Sequence, residues 1–214
     1  MDFIDLAQHC APTIHIETMR ALVNVESSFN PFAIGVVNGK LERQPRNQEE
    51  AVATANELER NGYNYSVGYA QVNKHNFKKY GLTVETAFDH CSNLRAGAGI
   101  LQGCFDSAKM KFKADQDALR AAFSCYYSGN FQTGFKPDFK GQPSYVDKIV
   151  GSALGIKGSV PQVNKVQAIR VIGAPKSVRS VPKEAPAPRA AGAATQPSEQ
   201  TTASDSGPKS ALIF

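Results

Sequence analysis

The chain has 214 residues, 42% of them apolar and 20% charged, with 24 Lys and Arg against 19 Asp and Glu. This length suits one domain with an appendage, or two small domains. No apolar run reaches about 18 residues, which excludes a membrane-spanning helix. The first ten residues hold two acids and neither Lys nor Arg, so they lack the basic start of a secretory signal peptide.

The positive charge is concentrated at one end of the chain. Residues 1–156 carry 16 basic and 16 acidic side chains, whereas residues 157–214 carry 8 and 3. The second segment also holds 7 of the 12 prolines and a single aromatic residue, Phe214. A segment with so little apolar surface cannot offset its chain entropy. We therefore predict a folded domain at 1–156 and a disordered basic tail at 157–214, acting either as a solvated linker or as a tether to a polyanion or a partner protein.

The first half of the folded part is predicted to combine helices with short strands. Asn38-Gly39 favours a type I′ turn, so the surrounding apolar residues indicate a hairpin. The alternating segment Tyr63–Val67 is typical of a strand and can join that hairpin in a small sheet. The predicted helices of this half cover residues 2–9, 15–27 and 47–60.

The second half is predicted to be helical. Its helices cover residues 73–79, 91–113, 115–127 and 143–154, the last beginning at Pro143. Gly97 and Gly99 weaken the longest of them but allow close packing against it. The whole pattern indicates an α+β domain that is predominantly helical, with one small antiparallel β element.

Glu26 stands out because it continues an apolar helical stripe. It shares one face with Ile16, Met19 and Val23. A carboxyl facing a core has a raised pKa, because burial disfavours its charged form, and the negative helix end acts in the same direction. Such a group suits general acid catalysis of glycosidic bond cleavage. The alternative is a solvated glutamate at a frayed helix end.

Three segments around Glu26 resemble one known family. The strings VNVESSFNPFAIG, VGYAQVN and AAFSCYYSGN are similar to the three motifs of the Slt-type lytic transglycosylases, which are related in fold to goose-type lysozymes. A longer match, running from LAQHCAPT through FDHCSNLRAGAGIL to PSYV, resembles the transglycosylases of VirB-type IV secretion systems. It covers roughly residues 4–150. The resemblance implies a lysozyme-like fold for the domain at 1–156.

The resemblance also implies roles for individual residues. Glu26 matches the family's single catalytic acid/base, and Gln71 the amide that contacts the sugar. Tyr126 matches the tyrosine whose hydroxyl lies near the acid. Two positions depart from the family pattern, since Tyr69-Ala70 replaces Leu-Met and Tyr127 replaces Asn. The substrate-binding positions expected on this basis are Ser27, Gly68, Tyr69, Gln71, Tyr126, Tyr127 and Gly129.

A family enzyme acts on the β-1,4 bond between N-acetylmuramic acid and N-acetylglucosamine. The resemblance implies that Glu26 protonates the leaving oxygen, that the substrate's 2-acetamido group stabilises the cationic centre, and that the C6 hydroxyl then closes a 1,6-anhydro ring. This chemistry needs no cofactor and no metal. Tyr63, Tyr65 and Tyr69 either stack on sugar rings or pack the small sheet.

Two other functions are compatible with these residues. A lysozyme-type hydrolase needs a second carboxylate to activate water, for which Glu42, Asp89 and Asp138 are the candidates. In a non-catalytic peptidoglycan-binding assembly factor, the main function would belong to the tail, which would recruit other secretion components. The intact set of Glu26, Gln71 and Tyr126 argues against pure binding.

The four cysteines permit three pairings. Cys91 and Cys104 lie about 20 Å apart along one predicted helix, too far for a bridge. If the chain turns back near Ala114, Cys104 and Cys125 come level across two antiparallel helices. This favours Cys104–Cys125 and leaves Cys10–Cys91 as the second pair, with four free thiols as the alternative.

The expected partners follow from the implied substrate. They are glycan strands of peptidoglycan and other type IV secretion components, the latter through the tail, with neither nucleic acid nor a membrane span. The basic run at Lys109, Lys111 and Lys113 offers too little surface for nucleic acid. The four histidines are scattered and no Cys-x-x-Cys occurs, so no metal site is expected. We expect a periplasmic location, because the substrate lies outside the inner membrane.

Overall fold

Helices make up most of the computed structural model, which describes residues 2–155 and Val171–Ile172. The strands are short, and several single turns of 3₁₀ helix connect the elements. The helices are α1 (Phe3–Cys10), α2 (Ile16–Ser27), α3 (Gln48–Arg60), α4 (His90–Lys109), α5 (Asp115–Ser128) and α6 (Tyr145–Ala153). The strands are β1 (Ile34–Val36), β2 (Lys40–Leu41), β3 (Tyr65–Val67), β4 (Val72–Asn73) and β5 (Val171–Ile172). The expectation of a predominantly helical α+β domain with a small antiparallel sheet is confirmed.

The small sheet pairs its strands differently from the predicted hairpin. Asn38 does adopt a positive φ of 60° at the turn, but β1 pairs with β3, and β3 pairs with β4. The side chain of Gln44 explains why β1 and β2 form no ladder. Its amide accepts from the Ile34 N–H at 2.7 Å and donates to the Ile34 carbonyl at 3.0 Å, so this edge of β1 is already occupied.

The strand β5 lies inside the segment predicted to be a disordered tail. Val171 and Ile172 pair antiparallel with Leu41 and Lys40. At these two residues the structure differs from the sequence prediction, because Val and Ile have high strand propensity and β2 offers an edge that β1 leaves unpaired. The rest of the predicted tail lies outside the described residues.

Three predicted helices differ in extent from the structure. The helix expected over 91–113 ends four residues earlier, since α4 spans His90–Lys109. The helix expected over 73–79 is a pair of 3₁₀ turns, Lys74–Asn76 and Lys78–Tyr80, separated by Phe77. The last helix begins at Tyr145 instead of Pro143, because Ser144 caps it in a reciprocal capping box with Asp147.

The core is built around α4. Leu94 and Leu101 of this helix are fully buried, and α5 packs antiparallel against it. Phe88 and Leu22 belong to the same hydrophobic cluster. The helix α2 packs against α1 and α6, which holds its C-terminal end between the helical core and the sheet.

Two disulfides tie these elements together. Cys104 of α4 joins Cys125 of α5, with a Cα–Cα distance of 5.7 Å. Cys10 of α1 joins Cys91 of α4, with a Cα–Cα distance of 5.1 Å. These are the two pairings that the helix register favours. None of the four cysteines is left as a free thiol.

Candidate active site

A cleft of about 460 Å³ lies between the small sheet and the ends of α2 and α5. One wall comes from the strands and the turn after β4, and the other from the helices. Its surface mixes polar and apolar groups and carries a single charged side chain, Glu26. The residues that line it are Glu26, Gly35, Val36, Val37, Asn64, Ser66, Gln71, Asn73, Asn76, Ile100, Tyr126, Tyr127 and Ser128.

Glu26 reaches the cleft because α2 ends directly after it. Ser28 terminates the helix in the left-handed conformation, with φ of 51°, and its N–H donates to the Asn24 carbonyl at 3.1 Å. Ser27 donates its hydroxyl back to the Val23 carbonyl at 3.1 Å. Ser27 therefore supports the helix end and does not line the cleft, while Glu26 faces it.

The environment of Glu26 suits an acid that exchanges its proton near neutral pH. Burial disfavours the carboxylate and raises its pKa from 4.5 to about 7, against the opposing effect of a hydrogen bond from the Tyr145 hydroxyl. The side chain is partly buried, with its exposed part in the cleft. A carboxyl with this pKa is protonated in a large fraction of molecules at pH 7 and can also serve as a base after giving up its proton.

Tyr145 is the site residue that sequence reasoning missed. It begins α6, is 5% exposed, and donates its hydroxyl to Glu26 Oε1. The string PSYV contains this tyrosine and ends the longer family match, which was the available signal. Its role depends on α6 packing against α2, a contact that no local pattern specifies.

Gln71 lies in the cleft, held in an unusual conformation. Its backbone has a positive φ of 44°, which is rare for a side-chain-bearing residue. The amide nitrogen donates to the Ala33 carbonyl at 3.1 Å and to the Gly68 carbonyl at 3.0 Å. Both donors are therefore engaged, and the amide oxygen is left to accept from a ligand. A Cβ on Gly35 would come within 2.8 Å of that oxygen.

Gly68 has a structural role next to the cleft. Its φ is +78°, and a Cβ there would lie 2.3 Å from the Asn93 side chain. Asn93 is 1% exposed and accepts from the Ala70 N–H at 2.8 Å. It also donates to the carbonyls of Val67 and Ala87. This hydrogen-bonded amide fixes the loop that carries Gln71.

Tyr126 lines the cleft beside Glu26, but its hydroxyl donates to the Ala70 carbonyl, at 2.5 Å. Burial and the charge of Glu26 hold the pKa of this phenol well above its ordinary value. Gly97 makes the contact possible, since a Cβ there would lie 2.4 Å from the Ala70 methyl group. Tyr126 therefore links α5 to the Gln71 loop across α4.

Four further predicted positions lie away from the cleft. Tyr69 packs edge-on against Phe3 and His90, with ring centroids 6.0 and 5.2 Å apart. Gly129 ends α5 with a φ of 72° and donates its N–H to the Cys125 carbonyl. Tyr65 is fully buried and Tyr63 packs against the same core, so packing, and not sugar stacking, describes both.

Tyr127 lines the cleft and is 42% exposed. Its ring stacks on Tyr145 with centroids 4.6 Å apart and planes 18° from parallel. Its hydroxyl donates to Asp138 at 2.6 Å. This tyrosine, which departs from the family pattern, therefore contacts the residue that donates a hydrogen bond to Glu26.

None of the three candidates for a second carboxylate lines the cleft. Asp89 caps α4, accepting from the Ser92 N–H at 2.8 Å. Asp138 accepts from Tyr127 and lies 3.6 Å from the Lys148 ammonium. Glu42 is outside the cleft as well. A hydrolase needs a carboxylate that activates water, and the described part of the cleft does not provide one besides Glu26.

The described residues, 2–155 and 171–172, include neither a metal-binding cluster nor a membrane-spanning helix. Their His, Cys, Asp and Glu side chains do not gather into a group of three or more that would hold a metal ion. None of the helices described there is both long and apolar enough to span a membrane.

Comparison with known proteins identifies the family. The model of the transglycosylase SLT domain matches residues 6–140. The chain is 56% identical over 152 residues to the type IV secretion system protein VirB1 of Brucella abortus, which covers 71% of this chain and 63% of that protein; the Brucella suis protein of the same name matches equally. The protein VirB1 of Agrobacterium tumefaciens is 34% identical over 136 residues, covering 63% of this chain and 56% of its own length.

The chain thus spans less than two thirds of the length of these relatives. No solved structure shows a significant match. The domain match includes Glu26, Gln71 and Tyr126, the three residues on which the sequence resemblance depends. The chain therefore belongs to the transglycosylase SLT domain family.

Proposed function

We propose that this chain is a peptidoglycan lytic transglycosylase. It cleaves the β-1,4 bond between N-acetylmuramic acid and N-acetylglucosamine and releases products that end in 1,6-anhydromuramic acid. The observation that carries the proposal is Glu26, the one carboxylate among the residues lining the cleft, with a pKa of about 7. One carboxyl that changes from acid to base is sufficient for this reaction, whereas hydrolysis generally employs two.

In the first step Glu26 gives its proton to the glycosidic oxygen. Because burial keeps the carboxyl partly protonated at neutral pH, the proton is available without an acidic medium. The substrate's 2-acetamido oxygen attacks C1 as the C1–O bond breaks, and the positive charge passes to the resulting oxazolinium ring. Tyr145 then stabilises the carboxylate that Glu26 has become, through its hydroxyl.

In the second step the Glu26 carboxylate removes the proton of the C6 hydroxyl. The C6 oxygen attacks C1, the acetamido group leaves C1, and the anhydro ring closes with Glu26 protonated again. Gln71 presents an amide oxygen that can accept from a sugar hydroxyl or an acetamido N–H, since its nitrogen is fully engaged. The exposed face of Tyr127 offers a surface for a sugar ring.

The biological role proposed is local opening of the cell wall, so that an envelope-spanning secretion apparatus can be assembled. The name of the Brucella relatives, type IV secretion system protein VirB1, supports this role. We infer a periplasmic location from the substrate, and the two disulfides fit an oxidising compartment. Contact with other secretion components through residues 157–214 is part of the same proposal.

The test is digestion of purified peptidoglycan followed by mass spectrometry of the released muropeptides. Wild type should release products one water lighter than reducing-end muropeptides. Glu26→Gln should release none while still binding the sacculi. Glu17→Gln is the matched control, because Glu17 lies on the same helix but is partly exposed, outside the cleft and paired with Arg20. Reducing-end products from the wild type would replace the proposal with a hydrolase.

A further inference from the structure

Tyr127 contacts both Tyr145, the hydrogen-bond donor to Glu26, and Asp138 in the loop that follows α5. One face of its ring lies on Tyr145, at 4.6 Å between centroids. Its hydroxyl donates to Asp138 at 2.6 Å, and the other oxygen of Asp138 lies 3.6 Å from the Lys148 ammonium. Lys148 and Tyr145 are three residues apart on α6, hence on one face of that helix.

These contacts form a closed ring between α5, the loop after it and α6. It runs from α5 through Tyr127 to Asp138, then to Lys148, along one turn of α6 to Tyr145, and back to Tyr127 through the ring stack. Within this ring of contacts, Tyr145 donates the hydrogen bond to Glu26. A phenol ring with an open face can rotate away from its hydrogen-bond partner. Tyr127 covers one face of the Tyr145 ring and so opposes rotation of Tyr145 away from Glu26.

We propose that Tyr127, anchored by Asp138, is a positioning residue that holds the Tyr145 hydroxyl on Glu26. The inference rests on the proposed role of Glu26 as the acid and extends it to a residue that departs from the family pattern. Tyr127 acts through Tyr145 and not on the acid itself, because it donates its hydroxyl to Asp138 instead.

Several titratable groups face Glu26, and an experiment must separate their effects on its ionisation. From α5 these are the phenols of Tyr126 and Tyr127, and from α6 the phenol of Tyr145. The sheet and the turn after it present uncharged groups, including Asn64, Ser66 and Gln71. No cation lines the described cleft. Replacing Tyr127 also changes the hydration of Glu26, so the effect of Tyr145 has to be measured separately in each background.

The experiment is a double-mutant cycle read on Glu26 itself. Carbon-13 NMR of labelled glutamate gives the ionisation constant of Glu26 without substrate, so the result does not depend on the proposed activity. Tyr145→Phe should change this constant about tenfold in the otherwise wild-type protein. In the Tyr127→Ala background the same replacement should change it only about twofold, because the hydroxyl no longer lies on the carboxylate.

Phe139→Ala provides the matched control. Phe139 follows Asp138 in the same loop and is 70% exposed, so the full tenfold effect of Tyr145→Phe should persist in its background. If Tyr127→Ala does not fold, Tyr127→Phe decides, since it keeps the ring and removes only the link to Asp138, and a reduced effect is again expected. An effect of Tyr145→Phe that stays tenfold in the folded Tyr127 variants would overturn the proposal.

Discussion

The Tyr145 hydroxyl donates a hydrogen bond to the carboxyl of Glu26, across a sequence separation of 119 residues. It joins the first turn of α6 to the last turn of α2. Burial raises the pKa of Glu26 and this hydrogen bond lowers it, so the value of about 7 reflects the balance of the two. The pKa of Glu26 therefore depends on a helix that is distant in sequence and packs against α2.

The first prediction concerns Tyr145→Phe. Loss of the hydroxyl removes the hydrogen bond that favours the carboxylate, so the pKa of Glu26 rises from its value of about 7. The alkaline limb of the activity profile, which requires protonated Glu26, should move to higher pH. We expect kcat to fall about tenfold, because the carboxylate formed in the first step is less stabilised. Turnover of sacculi measured on both sides of pH 7 gives both effects.

Tyr65→Phe is the control for that experiment. Tyr65 is a buried tyrosine whose hydroxyl also donates to a glutamate, Glu59, at 3.2 Å, away from the cleft. Its pH profile should match that of the wild type. Coinciding profiles for Tyr145→Phe and the wild type would show that the hydroxyl does not act on Glu26.

The second prediction is that Glu26→Gln stabilises the protein at alkaline pH. The folded-state pKa of about 7 lies above the ordinary value of 4.5, so the native state binds more protons between these values. Protonated Glu26 thus makes its full contribution to the stability of the wild type below pH 4.5. The free energy of unfolding falls as the pH rises to 7, by up to about 3 kcal/mol. Glutamine does not ionise and avoids this loss.

Thermal unfolding at pH 8 and at pH 4 measures the effect. Glu26→Gln should melt higher than the wild type at pH 8 and show little advantage at pH 4. Glu17→Gln, at a partly exposed position on the same helix, should not show this pH-dependent gain. A lower melting temperature for Glu26→Gln at pH 8 would make Glu26 a structural residue.

The third prediction concerns the buried amide of Asn93. Asn93→Asp keeps the acceptor for the Ala70 N–H but sets a charged oxygen against the carbonyls of Val67 and Ala87. The free energy of unfolding should fall by about 3 kcal/mol, and KM should rise because the loop holding Gln71 loosens. Denaturant titration and sacculi turnover test the two parts.

Asn47→Asp is the corresponding control. Asn47 caps α3 by accepting from the Glu50 N–H, which aspartate does equally well. Its free energy of unfolding should stay within about 0.5 kcal/mol of the wild type. If both variants are equally stable, the Asn93 network does not hold the loop.

The fourth prediction separates the two disulfides. The Cys10–Cys91 bridge spans 81 residues and the Cys104–Cys125 bridge 21, so their removal by serine pairs should cost about 4 and about 3 kcal/mol. Only the second bridge adjoins a cleft residue, since Tyr126 follows Cys125. Its loss should also lower kcat per folded molecule. Unchanged kcat in that variant would show that the bridge stabilises the fold without supporting the site.

The sequence predicts those features that depend on one element or on neighbouring helices. Glu26 continues an apolar helical stripe, and the level positions of Cys104 and Cys125 follow from an antiparallel helix pair. The features it missed depend on contacts between distant segments. The missing ladder between β1 and β2 depends on Gln44, which occupies that edge of β1, and the bond from Tyr145 requires α6 to dock on α2.

The residue roles divide in the same way. Family motifs indicate Gly68 and Tyr126, but only the structure shows that Gly68 leaves room for Asn93 and that the Tyr126 hydroxyl binds the Ala70 carbonyl. Tyr69 belongs to the same motif, yet it packs in an aromatic cluster with Phe3 and His90. A motif match shows which residue types follow one another along the chain. The packing of this chain decides which of their side chains reach the cleft.

The central claim is that the C6 hydroxyl of the sugar, and not water, completes the reaction on Glu26. Digestion of peptidoglycan in heavy-oxygen water tests it directly, with mass spectrometry of the muropeptides. We predict unlabelled products ending in 1,6-anhydromuramic acid, formed by the wild type and absent with Glu26→Gln. Reducing-end products carrying one heavy oxygen would contradict the account and identify a hydrolase whose second carboxylate lies outside the cleft described here.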